Sequence, residues 1–166
     1  MKNINKLKLI VALLLIVNVT NVKAQIIKAE IRATGLTCSM CSNAINKQLK
    51  TLTQVVNVET DLNTNTFTVT LTKDNNLTPN IFKEKVEKAG FFIGSLIITV
   101  PTIVTNSNAY VFVEKESSNT DEVQIKILDK GYVTDKEYKK LLKSLKKIET
   151  YTLNNESDFH IKIIKI

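Results

Sequence analysis

The sequence contains little of several residue types, and each shortage excludes a class of protein. It has two cysteines, two prolines, four glycines and no tryptophan in 166 residues. Two cysteines are too few for a disulfide-dense miniprotein, and so few glycines and prolines exclude a collagen-like fibre. Hydrophobic residues make up 43% of the chain and charged residues 23%, a globular balance that excludes a disordered tail. Long apolar runs are also missing, which excludes a multi-span membrane protein.

The first 24 residues have the pattern of an export signal. Lys2, Lys6 and Lys8 precede an apolar run at 9–17, which is shorter than the ~20 residues that span a bilayer. A short polar stretch then ends in Val22-Lys23-Ala24, a pattern typical of a signal-peptidase site. We therefore predict cleavage near Ala24 and a periplasmic or secreted protein with no membrane insertion after cleavage. A permanent N-terminal anchor is the alternative interpretation.

The basic charge of the whole chain comes mostly from this segment. The formal net charge is +7, and loss of the four lysines in residues 1–24 lowers it to +3. An exported protein with so small a positive charge gives no reason to expect nucleic acid as a partner.

The segment 25–101 predicts the order β-α-β-β-α-β, which is the ferredoxin-like arrangement of an α+β fold. Apolar and polar residues alternate in three strand-like runs, and a fourth β-rich run follows the second helix. Two runs with apolar residues at helical spacing lie between them, the second after Thr78-Pro79 and before Gly90. The predicted elements are a strand at 27–33, a helix at 39–51, a hairpin at 56–71, a helix from 79 to 89 and a strand at 92–100.

The segment 102–166 predicts a second, smaller α+β domain of unknown role. Two strand patterns, at 110–114 and 123–128, flank a polar turn. Thr134 and Glu137 form the pattern of a capping box, and apolar residues at helical spacing extend from there to Ile148. Alternation returns at 159–163, and the order of elements is interpreted as ββαββ.

The two cysteines stand close together, in the sequence Gly35-Leu36-Thr37-Cys38-Ser39-Met40-Cys41 between the first strand and the first helix. Two residues between cysteines let both sulfurs reach one point when Cys41 lies in the first helical turn. The partial positive charge of a helix N-terminus favours the thiolate form. Two thiolates make a soft site of low coordination number, which suits Cu(I) better than Zn²⁺ with its four ligands. The only histidine, His160, is far away in sequence and is interpreted as structural.

This motif on a βαββαβ frame resembles the heavy-metal-associated domain, whose usual motif is Gly-Met-Thr-Cys-x-x-Cys. The family includes copper chaperones, metal-binding domains of copper-transporting ATPases and periplasmic mercury-binding proteins. The resemblance covers about residues 26–99 and implies that Cys38 and Cys41 are metal ligands and that Thr37 supports the loop. Leu36 stands where the family usually has Met, and the resemblance implies that it packs under the loop. Phe91 stands where cytosolic chaperones often have Lys, which is closer to the ATPase and mercury-binding branches.

The leading hypothesis is an exported carrier, not an enzyme, that binds Cu(I) and transfers it to a protein partner by ligand exchange. Hg(II) and Ag(I) are alternative ions because they also accept two thiolates. A periplasmic thiol–disulfide oxidoreductase that uses the same cysteines is the alternative function, and an inert disulfide is a third interpretation. Met40 is a further soft group, for which exposure to solvent is expected. Lys47 and Lys50 are interpreted as a solvated helix face rather than a docking surface.

Overall fold

The computed structural model describes residues 25–37, 39–114, 120–153 and 158–165. The predicted export signal at 1–24 and Cys38 lie outside the described residues. Seven strands are described: β1 Lys28–Thr34, β2 Val55–Asp61, β3 Thr66–Leu71, β4 Phe92–Pro101, β5 Tyr110–Phe112, β6 Glu122–Ile127 and β7 Phe159–Lys165. The described helices are α1 Ser39–Leu49, α2 Pro79–Lys88, α3 Asp135–Ser144 and α4 Glu149–Leu153, with a 3₁₀ helix at Thr102–Asn106. No helix among these residues has the length and apolar content needed to cross a membrane.

The first six elements confirm the predicted ferredoxin-like unit. The chain runs β1-α1-β2-β3-α2-β4, and these four strands lie side by side in the order β2-β3-β1-β4. All their pairings are antiparallel, with Ile31 of β1 opposite Phe67 of β3 and Leu96 of β4. Those three side chains are fully buried, because residues that face each other across strands share one face of a sheet. They lie in a core that also contains Ile45 of α1 and Phe82 of α2.

The ends of α2 follow the predicted signals. Thr78 is the N-cap in extended conformation and Pro79 occupies the first helical turn. At the other end the amides of Gly90 and Phe91 donate to the carbonyls of Glu87 and Val86, at 2.8 and 3.1 Å. These two bonds satisfy carbonyl groups at the helix C-terminus and fix where Phe91 leaves the helix. The start of β4, next to the cysteine loop, is positioned by this turn.

The second segment continues the same sheet beyond β4. The full order is β2-β3-β1-β4-β6-β7-β5, in which β6 pairs antiparallel with β4 and β5 pairs parallel with β7. The predicted boundary near Pro101 therefore lies within a continuous sheet, since Pro101 is itself paired with Glu122 of β6. Ile98 of β4 and Ile125 of β6 face each other and are fully buried in one shared core.

The helical part of the second segment differs from the prediction in two ways. The helix after Thr134 ends at Ser144 rather than Ile148, and a separate short helix, α4, follows. The described residues after it contain one strand, β7, so the second predicted strand is wrong. At the break the Ile148 amide donates to Leu145 O at 2.8 Å, so the chain makes a turn there in place of a further turn of α-helix. The capping box is confirmed on its N-cap side, where the Glu137 amide donates to Thr134 Oγ1 at 3.2 Å.

Candidate metal site

The cysteine loop connects the end of β1 to the start of α1. Gly35 follows directly after β1 with φ of +84°, a left-handed conformation that glycine adopts without the cost a Cβ would bring. Thr34 Oγ1 donates to the carbonyl of Phe92 at 3.3 Å and ties this end of β1 to the first residue of β4. A Cβ at Gly35 would lie 3.9 Å from Cδ1 of Phe91, so the Phe91 ring lies beside the loop.

Cys41 lies in the first turn of α1, as the spacing predicted. Its side chain is half-buried, and the next residue, Ser42, is buried. Cys38, the other predicted ligand, precedes α1 by one residue and lies outside the described residues. The first turn of α1 has no acidic side chain, so the positive end of the helix dipole acts on Cys41 without a competing charge in that turn. A helix N-terminus is in general a position that favours the thiolate form of cysteine, which is the form that binds a soft metal ion.

The surroundings of the loop combine apolar and polar residues. Leu36 is half-buried and packs against the hydrophobic core, in agreement with the predicted place under the loop. A cavity of about 260 Å³ lies between the loop and the β2–β3 hairpin. Its lining residues are Leu36, Thr37, Ser39, Ser42, Leu62 and Asn65. Asn65 is fixed at this position because its carbonyl accepts the amide of Ala33 at 3.1 Å.

Solvent reaches the loop from the side of Met40. The Met40 side chain is 81% exposed, which agrees with the predicted solvent-facing position. Phe92 is 67% exposed beside the loop, whereas Phe91 is half-buried against the core. The two phenylalanines therefore differ: Phe91 packs against the core, and Phe92 offers an apolar surface beside Thr34 at the end of β1.

In the part of the chain that the structure describes, no three His, Cys, Asp or Glu side chains are grouped closely enough to hold a metal ion. A four-ligand zinc site is therefore not formed by the described residues, whereas a two-thiolate site requires only Cys38 and Cys41. The assignment of these two residues as ligands stays a prediction.

His160 is buried in the second segment and takes part in a hydrogen-bond network there. Its Nδ1 lies 2.7 Å from Oδ1 of Asp129, and its backbone amide donates to Oδ2 of the same carboxylate at 2.7 Å. Its Nε2 lies 2.9 Å from Oγ1 of Thr150, and the Tyr151 ring contacts the imidazole edge-on at 4.9 Å between centroids. Both ring nitrogens thus have partners, which agrees with the structural interpretation of His160.

Sequence reasoning missed Asp129. Burial raises the pKa of its carboxyl, and the hydrogen bonds from His160 oppose that shift. Asp129 and His160 are 31 positions apart and no short-range spacing connects them. An acidic residue two positions after the end of a strand with one buried face is the one local signal that points to such a role.

The family model of the heavy-metal-associated domain matches residues 30–92. A copper-transporting ATPase of Saccharomyces cerevisiae is 44% identical over 57 residues, which are 34% of this chain and 6% of the ATPase.

The solved yeast copper transporter domain Ccc2a, described in apo and Cu(I)-loaded states, is 39% identical over 39% of this chain and 86% of its own, with a TM-score of 0.34. The N-terminal domain of a potential copper-translocating P-type ATPase from Bacillus subtilis is 33% identical over 39% of this chain and 79% of its own, with a TM-score of 0.35. The solved Atx1–Cu(I)–Ccc2a complex matches at 37% identity over 43% of this chain and 92% of that chain, with a TM-score of 0.35.

Proposed function

We propose that this chain, whose residues 30–92 are a heavy-metal-associated domain, binds Cu(I) through Cys38 and Cys41 and passes it to a protein partner. The observation that carries the proposal is the position of the cysteine motif. The matched stretch includes the whole loop, and the loop joins β1 to the N-terminus of α1. The sequence relative and the Cu(I)-loaded solved domains support copper as the ion. The match spans 6% of the ATPase, so it supports a metal-binding domain in this chain and gives no support for pump activity.

The proposed transfer is a ligand exchange. A partner thiolate forms a bond to Cu(I) while Cys38 and Cys41 still hold it, and one of these two sulfurs then leaves as a thiolate. No bond within a substrate is broken and no electron is transferred, so the chain acts as a carrier and not as an enzyme. The exposure of Met40 supports this route because it leaves one side of the loop open to a partner.

We also propose that this exchange takes place outside the cytoplasm. The lysines and the apolar run of residues 1–24 support export, with cleavage near Ala24. N-terminal sequencing of protein from the periplasm or medium tests this separately from metal binding. A mature N-terminus at Gln25 supports export, and an intact Met1 in protein from the cytoplasm contradicts it.

Anaerobic titration of the reduced chain with Cu(I), against a chromophoric Cu(I) chelator, tests the binding step. We expect tight one-to-one binding that is lost when Cys38→Ser and Cys41→Ser are combined. Met40→Leu is the matched control, since it removes the remaining sulfur of the loop and is expected to leave the affinity unchanged. Binding that survives the double cysteine substitution contradicts the proposal.

The alternative based on thiol–disulfide exchange makes a different prediction. It requires catalysis of insulin reduction and a mixed disulfide in a variant that retains a single cysteine. The carrier proposal predicts Cu(I) binding without that catalysis. Measuring both properties on one preparation therefore separates the two functions.

A further inference from the structure

A larger cavity lies between α2 and the turn that follows β6. Its volume is about 740 Å³, within the range of small-molecule sites. One side is formed by residues of the heavy-metal-associated domain, among them Lys83 of α2 and Phe92 of β4. The other side is formed by residues 130–131 and 133–136 of the second segment, which lie outside the matched family stretch.

Three lysines line this cavity: Lys83, Lys130 and Lys136. No ion pair involves any of them in the described part of the chain. Two acidic residues, Glu87 and Asp135, also line the cavity, so its lining keeps one net positive charge. A cavity whose cations lack ion-pair partners favours an anionic ligand.

The position of Lys83 is determined by the second segment. Its ammonium lies 5.8 Å from the centroid of the Tyr132 ring, a cation–π distance. A Cβ at Gly131 would lie 2.9 Å from Lys83 Cε, so the absence of a side chain at this position leaves room for the lysine. Tyr132 is in turn fixed by the hydrogen bond that its hydroxyl donates to Asn80 Oδ1 of α2.

The other part of the lining is apolar. Ile93 and Val133 are buried, and the ring of Phe92 is 67% exposed. Thr34 closes the cavity on the side of the cysteine loop, since it directly precedes Gly35. An inorganic anion would contact only the lysines, whereas a ligand with an apolar part would also cover Phe92.

We propose that this cavity binds a small organic anion with an apolar part, held by Lys83, Lys130 and Lys136 and packed against Phe92. The concave shape and the volume favour a small molecule over a protein surface. The site shares no residue with the Cys38–Cys41 pair, so its occupancy does not depend on the proposed Cu(I) binding. The second segment would then have two roles: it enlarges the sheet, and it supplies one side of a ligand site.

Fluorescence titration with the amphipathic anion anilinonaphthalenesulfonate tests the proposal on the processed chain, residues 25–166. We expect saturable one-to-one binding that is retained when both cysteines are replaced by serine. Combining Lys83→Gln, Lys130→Gln and Lys136→Gln is expected to raise the dissociation constant by roughly tenfold or more. Phe92→Ser is expected to weaken binding by roughly threefold to tenfold through lost apolar contact.

Two matched controls separate the cavity from general charge and hydrophobicity. Combining Lys143→Gln, Lys146→Gln and Lys147→Gln removes the same charge from exposed positions outside the cavity. Leu153→Ser removes an apolar side chain that is 72% exposed and lies outside the cavity. Equal effects of cavity and control variants overturn the proposal, and so does an unchanged dissociation constant in the cavity lysine variant. Circular dichroism confirms that each variant is folded.

Discussion

Asp129 binds His160 twice, through its Oδ2 to the backbone amide and through its Oδ1 to Nδ1, both at 2.7 Å. In a neutral imidazole the carboxylate favours the tautomer with the proton on Nδ1, in which Nε2 accepts a hydrogen bond from the Thr150 hydroxyl. His160 is fully buried, so the loss of either bond leaves a polar group without water to replace its partner.

We expect Asp129→Asn to lower the free energy of unfolding by about 1–3 kcal/mol, because the amide retains only one acceptor for two donors. Urea denaturation followed by circular dichroism measures the change. Asp121→Asn, at an exposed position, is the matched control and is expected to change stability by less than about 0.5 kcal/mol. Equal effects of the two substitutions would contradict a structural role for the Asp129–His160 pair.

Tyr110 is expected to make stability fall at alkaline pH. Burial raises the pKa of its hydroxyl to about 12, and this hydroxyl is buried without a hydrogen-bond partner in the described part of the chain. Between about pH 10 and pH 12 the folded chain keeps a proton that the unfolded chain has lost, so stability decreases as the pH rises. Tyr110→Phe should remove this loss, of order 2 kcal/mol, and should change stability little at neutral pH. Urea denaturation at pH 7 and pH 11 measures both effects.

Tyr151→Phe is the matched comparison for Tyr110. The Tyr151 hydroxyl donates to the carbonyl of Leu128 at 2.8 Å in a buried position. Removing it should cost about 1–2 kcal/mol already at pH 7. If both phenylalanine variants behave alike at pH 7, the difference in hydrogen bonding between the two tyrosines is refuted.

The shared sheet predicts that the two segments unfold together. Ile125 of β6 is fully buried opposite Ile98 of β4, and Ile125→Ala should lower stability by about 2–5 kcal/mol. We expect the midpoint for the loss of amide hydrogen-exchange protection in β1 to move with the midpoint of circular dichroism. Val56→Ala, at a 65% exposed position, is the control. A β1 midpoint that does not move would instead support two independent domains.

Leu36 is expected to tolerate methionine. It packs against the core beneath the cysteine loop, so Leu36→Met keeps the volume and the apolar contact. We expect less than about 1.5 kcal/mol loss of stability and an unchanged Cu(I) affinity. Leu36→Asn places a polar group in the same contact and should cost about 1–3 kcal/mol. Thermal unfolding and chelator competition measure both, and equal damage by Met and Asn would contradict the packing argument.

The sequence predicted the ferredoxin-like unit well because its signals are local. Alternation defines β1, Thr78-Pro79 starts α2 and Gly90 ends it, and each acts over a few residues. The spacing of Cys38 and Cys41 likewise needs only the start of α1. The joining of β6 to β4 was not predictable in this way. The alternation of Val123, Ile125 and Ile127 requires one buried face but does not specify which strand is its neighbour.

The same limit applies to the sites in the second segment. The pair Asp129–His160 and the contact between Tyr132 and Asn80 join residues that are 31 and 52 positions apart. Neither contact has a sequence motif, because several types of polar side chain can make such a hydrogen bond and their distance along the chain is not fixed. The cavity that Lys83 shares with Lys130 exists only once both segments are folded together.

The addition of β6 also changes which parts of the sheet are open to strand addition by another molecule. In a unit that ended at Pro101, β4 would be an edge strand with a row of unpaired amides and carbonyls over apolar residues. Here β4 is interior, and the edges are β2 and β5. The pairing of β2 with β3 is irregular between Val55 and Asn57, and β5 has three residues, so both edges are poor templates for intermolecular sheets. The second segment thus covers an edge of the heavy-metal-associated domain that would otherwise be open to strand addition.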